Sequence, residues 1–375
     1  MDIAIASYPF TTIQPNRGIA FVRVECVENY FKTKCMPRFG YCKNGIRFVP
    51  VDLVDVAGLI EGSHEGLGLG NQFLSDIAQA DVIIHIVDIS GSTNAKGESC
   101  EPLSHDPGYD IKFIENELDL WFYGILSKNW ARFSRQVMQE KTNIAVEITK
   151  QFSGLKITEN YVEDTIKKLK LVREKPETWT ENDLKKFCTE LRKKSKPMII
   201  AANKIDVNGA EKNLERLKKE FPDYMIIPCS AESELALKEA NKKGLIDYMP
   251  GEKDFKVIDK VSEQQKKGLE FIKKNILEKF GSTGVQEIMD KAVFDLLKYI
   301  AIFPGGLGKL IDSEGRVLPD CFLLKPGSTA FDFAATIHTD LAKNFVKAID
   351  VKKKLPLGKD HKLNNLDVVE IKTSK

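Results

Sequence analysis
Asp55-Val56-Ala57-Gly58 closes an apolar run and opens at once into Leu59-Ile60-Glu61-Gly62-Ser63-His64-Glu65-Gly66-Leu67-Gly68-Leu69-Gly70. A carboxylate at the end of a strand can hold a water of a bound Mg²⁺. A glycine just beyond it offers its backbone N–H to a phosphate, with no side chain in the way. The chemistry this spacing allows is the sensing of a terminal phosphate. Four residues alone carry little; their weight comes from the rest of the chain.

Asn203-Lys204-Ile205-Asp206 follows the apolar run Pro197 to Ala202. A loop aspartate at a strand's carboxyl end can accept hydrogen bonds from N1–H and the exocyclic amine of guanine, and open α/β sheets bind ligands at that end. An ordinary polar strand-to-helix turn has the same letters. Pro228-Cys229-Ser230-Ala231-Glu232 also follows a short apolar run. Ser230 and Ala231 there can frame a guanine base with backbone N–H groups, and Ser230 can equally cap a helix over Glu232 to Asn241. Tyr8-Pro9-Phe10-Thr11-Thr12-Ile13-Gln14-Pro15-Asn16 is a proline-bounded loop whose Thr12, with Thr11 beside it, can give a hydroxyl to Mg²⁺. Each motif has a bland reading. Their order along the chain, each at a strand end, is that of guanine-nucleotide-binding domains.

The elements that must position these residues are legible as short, near-continuous apolar runs: Gly18 to Val24, Phe48 to Val56, Val82 to Ile89, Pro197 to Ala202 and Tyr224 to Pro228. Such runs predict a mostly parallel sheet with helices on both faces. Leu74 to Ala80 and Leu214 to Phe221 fit crossover helices. Between Cys100 and Lys196 the character changes to charged, helix-period segments over Ile111 to Leu126, Phe133 to Ile148, Glu159 to Val172 and Asn182 to Arg192, with Asp110 and Thr180 as N-caps. This predicts a helical insertion over about 100–196. Another helical stretch, Ser262 to Leu297, precedes a compact C-terminal unit.

The 375 residues are 42% hydrophobic and 29% charged, which fits a globular chain of two or three domains. Lys+Arg is 56 against 54 Asp+Glu, so the net charge of +2 does not point to DNA or another polyanion. No apolar run approaches the ~20 residues that span a bilayer, and the N-terminus has no signal-peptide pattern, so a cytoplasmic location and no membrane partner are expected. Seven cysteines, an odd number, fit a reducing compartment. Cys26, Cys35 and Cys42 cluster, but without a C-x-x-C spacing or a nearby histidine they read as thiols in a loop region.

Three stretches resemble the Obg/YchF-type GTPases: Tyr8 to Thr12, Asp55 to Asn71, and His85-Ile86-Val87-Asp88. Leu318 to Thr329 resembles the TGS domain those proteins can carry, and the likeness, closest to the archaeal YchF-like branch, spans essentially the whole chain. The resemblance implies a P-loop-type α/β fold, residues 1–297 as the GTPase domain and 298–375 as a β-grasp TGS domain with its helix over Ala330 to Ile337. It implies GTP as ligand, Mg²⁺ as cofactor, slow hydrolysis, and a partner in the ribosome or RNA. Carried over by position, Thr12 and Asp55 match the magnesium ligands and Gly58 the terminal-phosphate contact. Asn203, Lys204 and Asp206 match the base readers, and Ser230 and Ala231 the second base loop. Some YchF-like members use ATP; Asp206 favours guanine. Leu59 stands where many GTPases have a water-orienting glutamine, so unaided hydrolysis is expected to be slow. His64 beside Glu65 reads as a solvated loop histidine.

The 375 residues contain no Gly-x-x-x-x-Gly-Lys-Ser/Thr loop. Such a loop supplies most phosphate binding. The expectation is a family member short of its first strand–loop–helix unit, about 30 residues. On that reading this chain binds GTP weakly and restored upstream sequence rescues binding. The alternative is an adaptor that associates with RNA or ribosomes and has lost nucleotide binding, although such an adaptor has no chemical need for Asp55 or Asp206. From Arg316 to Lys375 there are 11 Lys+Arg and 7 Asp+Glu, and Lys352-Lys353-Lys354 fits either phosphate contact or a solvated turn.

Overall fold
The computed structural model describes residues 16–56, 62 and 70–374. Within them the strands are β1 (Asn16–Glu25), β2 (Tyr41–Lys43), β3 (Ile46–Asp55), β4 (Ile83–Asp88), β5 (Met198–Asn203), β6 (Met225–Pro228), β7 (Ile246–Asp247), β8 (Lys256–Val257), β9 (Ile300–Pro304), β10 (Phe322–Leu324), β11 (Phe345–Asp350), β12 (Leu355–Leu357) and β13 (Val368–Thr373). Two compact units result. One is drawn from 16–18, 54–245 and 259–285; the other holds Ile19–Leu53, Ile246–Ile258 and Gln286–Lys375. Two earlier segments, Ile19–Leu53 and Ile246–Ile258, group with the C-terminal residues in the second unit.

The first unit is an α/β layer built on the parallel order β4-β5-β6. Met198 to Ala202 of β5 are all buried, so its apolar run has no polar face to alternate with. Helix Ala210–Glu220 buries Ala210, Leu214 and Leu217 on one stripe, at the helical period. The expected insertion consists of helices Pro107–Ser127, Trp130–Glu140, Ile144–Gln151, Glu159–Lys168 and Glu181–Ser195. Phe122, Trp130, Ile148, Trp179 and Phe187 form its core. Buried Arg192 donates to Asp119 (Nε–Oδ1, 2.8 Å) and to the Tyr224 hydroxyl at 3.3 Å, tying the insertion to the residue just before β6. The guanidinium is held well above its ordinary range: burial works against the charge, and Asp119 outweighs it.

Two local expectations fail here. Asp106, not Asp110, caps the first insertion helix, its carboxylate accepting from the Gly108 N–H at 2.9 Å with Pro107 at the first position. Asp110 lies inside the first turn and pairs with His105 at 3.0 Å. The run Phe133 to Ile148 is two helices. Lys141 turns left-handed at φ +52°, and Asn143 caps the second helix by accepting from the Ala145 N–H. Thr180 does cap its helix, through a full capping box with Asp183.

The apolar runs Gly18 to Val24 and Phe48 to Val56 do not join β4-β5-β6. As β1 and β3 they form a sheet of order β1-β3-β2, in which β2 and β3 are an antiparallel hairpin. Asn44 and Gly45 turn it with φ of +53° and +76°, the left-handed pair that a two-residue hairpin demands. In the second unit, β10-β9-β13-β11-β12 forms one sheet with parallel β9 and β13 adjacent. Helix Ala330–Ile337, with a Thr329/Asp332 capping box, packs Phe333 against Ile302, Ala348 and Val369. Among the described residues no helix is long and apolar enough to cross a membrane.

Candidate functional site
The register of the parallel strands levels their carboxyl ends. Asp88 pairs with Asn203, and Ala202 with Pro228. The expected base-reading residues therefore leave one edge of one sheet, where open α/β sheets bind ligands. The loops after β5 and β6 are fastened to each other. The Cys229 N–H donates to the Ala202 carbonyl at 2.9 Å, and the Ile205 N–H to the Cys229 carbonyl at 3.2 Å. The Asn203 side-chain oxygen accepts the Ala231 N–H at 3.0 Å, so the first motif holds the second directly.

Lys204 stands at φ +62°, left-handed for a residue with a side chain. Its Nζ donates to Asp88 Oδ2 at 2.8 Å, Thr93 Oγ1 at 3.1 Å and Ser92 Oγ at 3.2 Å. Asp88 also accepts from the Ser90 N–H and from the hydroxyls of Ser90, Ser92 and Thr93. Burial works to raise the Asp88 carboxyl; the Lys204 ammonium and the three hydroxyls together hold it below its ordinary value. Asp88 is not among the expected site residues. The signal was the hydroxyl-rich run Ser90-Gly91-Ser92-Thr93 directly after a strand.

Ser230 is fully buried. Its hydroxyl accepts the Ser233 N–H at 3.3 Å and caps helix Ala231–Lys242, while its own N–H donates to the Thr283 carbonyl at 2.9 Å. The Ser230 and Ala231 amides thus both have protein acceptors, and the capping reading of Ser230 holds. Gly284 backs this loop at φ +82°; a Cβ there would lie 1.9 Å from the Pro228 carbonyl oxygen. Only glycine fits. This backing segment was not read from the sequence either.

Asp206 differs from its neighbours. It is half-buried, and its carboxylate has no hydrogen-bond or ion-pair partner among the described residues. Its charge reaches Cys229, whose thiol is pushed up to about 12, first by burial and then by that carboxylate. Asp55 closes β3 and is exposed. Thr12, Gly58, Leu59 and His64 lie outside the described residues.

Comparison with known proteins decides the family. A family described as 50S ribosome-binding GTPase matches residues 2–115, the G4 motif-containing domain of Obg-like, YGR210-like GTPases matches 201–305, and the TGS domain matches 308–373. An uncharacterized GTP-binding protein of Methanocaldococcus jannaschii is 50% identical over 370 residues, covering 98% of this chain and 92% of that one. The chain belongs to the Obg/YchF family of GTP-binding proteins. A ribosome-binding ATPase YchF of Mycoplasma genitalium is 28% identical over 271 residues, 70% of this chain and 68% of that one. The crystal structure of a GTP-binding protein from Pyrococcus horikoshii superposes with a TM-score of 0.77 at 36% identity, over 96% of this chain and 93% of that one. The Obg/YchF assignment agrees with the expected fold: a mostly parallel α/β sheet with a helical insertion, and a C-terminal TGS sheet.

Proposed function
We propose that this Obg/YchF-family protein binds GTP through the loops after β5 and β6. The observation that carries this is the Asp206 carboxylate. Around it the groups placed at the base site are held by the protein: Asn203 Oδ1 accepts from the Ala231 N–H, Lys204 donates to Asp88, and Ser230 is tied to Ser233 and Thr283. The half-buried Asp206 carboxylate beside them has no protein donor among the described residues, so its acceptors stay open. Guanine offers N1–H and an exocyclic amine to such a carboxylate; adenine lacks that donor pair. Asn203, Lys204, Ser230 and Ala231 then act mainly by fixing the loop that presents Asp206.

On the phosphate side, the proposal assigns Gly58 to the terminal phosphate, and Asp55 and Thr12 to Mg²⁺. The exposed Asp55 carboxylate at the end of β3 is a hard oxygen donor of the kind Mg²⁺ takes. Bound there, Mg²⁺ would neutralise phosphate charge. Leu59 offers no polar group to orient a water, so hydrolysis is slow. The TGS domain is proposed to contact ribosomal RNA in the cytoplasm. This reading draws on the bacterial relatives named ribosome-binding ATPase and on the exposed Lys353 and Lys354.

The test is a competition between guanosine and adenosine triphosphates, followed by ligand-observed NMR, which registers weak binding as well as tight. Guanine preference is expected in the native chain. Asp206→Asn should abolish it and favour xanthine, whose N1 side offers an acceptor to the new amide. Equal binding of adenine and guanine, unmoved by Asp206→Asn, would sink the proposal.

A further inference from the structure
We propose that Cys26, Glu28, Cys35 and Cys42 form a tetrahedral site for one soft divalent cation of the zinc type. The four come from different pieces of local structure. Cys26 follows β1, Glu28 opens the short helix Glu28–Phe31, Cys35 lies in the loop beyond, and Cys42 is on β2. The hairpin turn at Asn44-Gly45 brings them together, because the Gly45 carbonyl accepts the Cys26 N–H at 2.8 Å. All four ligand atoms lie within 4.8 Å of one another.

The spacings fit a metal. A tetrahedral ion with ~2.3 Å bonds to sulfur sets its sulfurs about 3.8 Å apart, and a sulfur and a carboxylate oxygen about 3.5 Å apart. Cys26 Sγ and Cys35 Sγ are 3.7 Å apart, and Cys42 Sγ lies 3.3 Å from Glu28 Oε1. Glu28 is aimed by its other oxygen: Oε2 accepts the Cys35 N–H at 2.8 Å, which turns Oε1 toward the thiols. Three thiolates and one carboxylate around a divalent ion leave a local charge of −2. Arg47 lies against this set, only 1% exposed. It anchors Nη2 on the Leu318 carbonyl at 2.6 Å and places Nη1 3.7 Å from Cys35 Sγ. A buried guanidinium donating to a ligand sulfur offsets part of that charge and holds the ligand's orientation.

Three sulfur ligands select soft ions over Mg²⁺ or Ca²⁺. Four protein ligands with no open position make a structural site, a clip that fastens the end of β1 to the β2–β3 hairpin, and not a catalytic one.

The experiment uses the full chain, purified in reductant without chelator, with metal counted by mass spectrometry of the elements. About one zinc per chain is expected, and exchange to Co²⁺ should give the thiolate-to-metal charge-transfer and intense d–d absorption of a tetrahedral sulfur site. Cys35→Ser and Cys42→Ser should lose the metal. Glu28→Gln should weaken it by about tenfold or more, and Cys100→Ala should keep it. Because the serine variants could misfold, the native chain alone is decisive. If it remains metal-free after Zn²⁺ is added under reduction, with all seven thiols titrating, the proposal is overturned. A disulfide between Cys26 and Cys35 in the purified native chain overturns it equally.

Discussion

His85 sits mid-strand in β4, opposite Ile200 of β5, with Nδ1 buried and unpartnered among the described residues. Burial lowers its pKa to about 4. The folded ring is therefore neutral over a range in which an unfolded one, near 6.5, is already charged. The sign follows: a depressed histidine pKa contributes its full stability above the unfolded value, and that stability drains away as pH falls from about 6.5 toward 4. A gap of about 2.5 pK units is worth ~3 kcal/mol in all, of which ~2 kcal/mol disappears between pH 7 and pH 5. The assay is built into the chain. All three tryptophans, Trp121, Trp130 and Trp179, lie in the helical insertion, so intrinsic fluorescence follows the unit that contains β4. With a urea slope near 2 kcal/mol per molar, the native midpoint should fall by about 1 M more between pH 7 and pH 5 than that of His85→Gln, which cannot titrate. Every other side chain is the same in the two proteins, so its contribution cancels in the difference. Equal pH dependence in the two proteins would refute the reasoning, because it would mean the ring protonates as readily folded as unfolded.

Asn203→Ala strands the Ala231 N–H and loosens the loop that presents Asp206; nucleotide affinity should fall by about 1–3 kcal/mol, read by titration calorimetry. Gly284→Ala meets both a positive φ and the Pro228 carbonyl, so it should destabilise the first unit by at least ~1–3 kcal/mol in the same fluorescence assay. Trp130→Ala removes a ring stacked on Trp179 at 5.3 Å in the insertion core and should cost about 3–5 kcal/mol of stability, seen as a lowered melting temperature. Lys354→Ala should weaken and flatten the salt dependence of ribosome pelleting while leaving TGS stability unchanged; Lys353 is kept because its Nζ pairs with buried Asp350 at 3.3 Å. Lys352 is left intact there because its Nζ donates to the Leu366 carbonyl and supports the fold.

The strands that end in Asp88, Asn203 and Pro228 were legible as unbroken apolar runs, and β5, buried from Met198 to Ala202, has no polar face to alternate with. The caps Thr180 and Ser230 were legible because a hydroxyl before a helix has one obvious use. What escaped depended on the neighbouring residue or on distant pairing. Asp106 beat Asp110 as a cap because Pro107 fixes the helix start. The hairpin of β2 and β3 hid behind a run that fits a parallel strand equally well, although Asn44-Gly45 marks the turn. The sulfur cluster read as three unrelated thiols because its fourth member is a glutamate, and because only the hairpin brings residue 42 back to residue 26. Asp88 carries only the hydroxyl-rich run after it as a local signal, because its main partner, Lys204, reaches it from the loop after β5.

Asn203 and Lys204 are both locked by protein hydrogen bonds, so a base entering beside Asp206 finds them already immobile. Each side chain that need not be frozen on binding spares about 0.5–1.5 kcal/mol. That saving is the same for a nucleoside, a diphosphate and a triphosphate, since all present one base. A ligand pair bound equally by a site shifts no equilibrium through it. The loops after β5 and β6 can therefore decide which base is admitted, but any switching between nucleotide states has to be read out where the phosphates end.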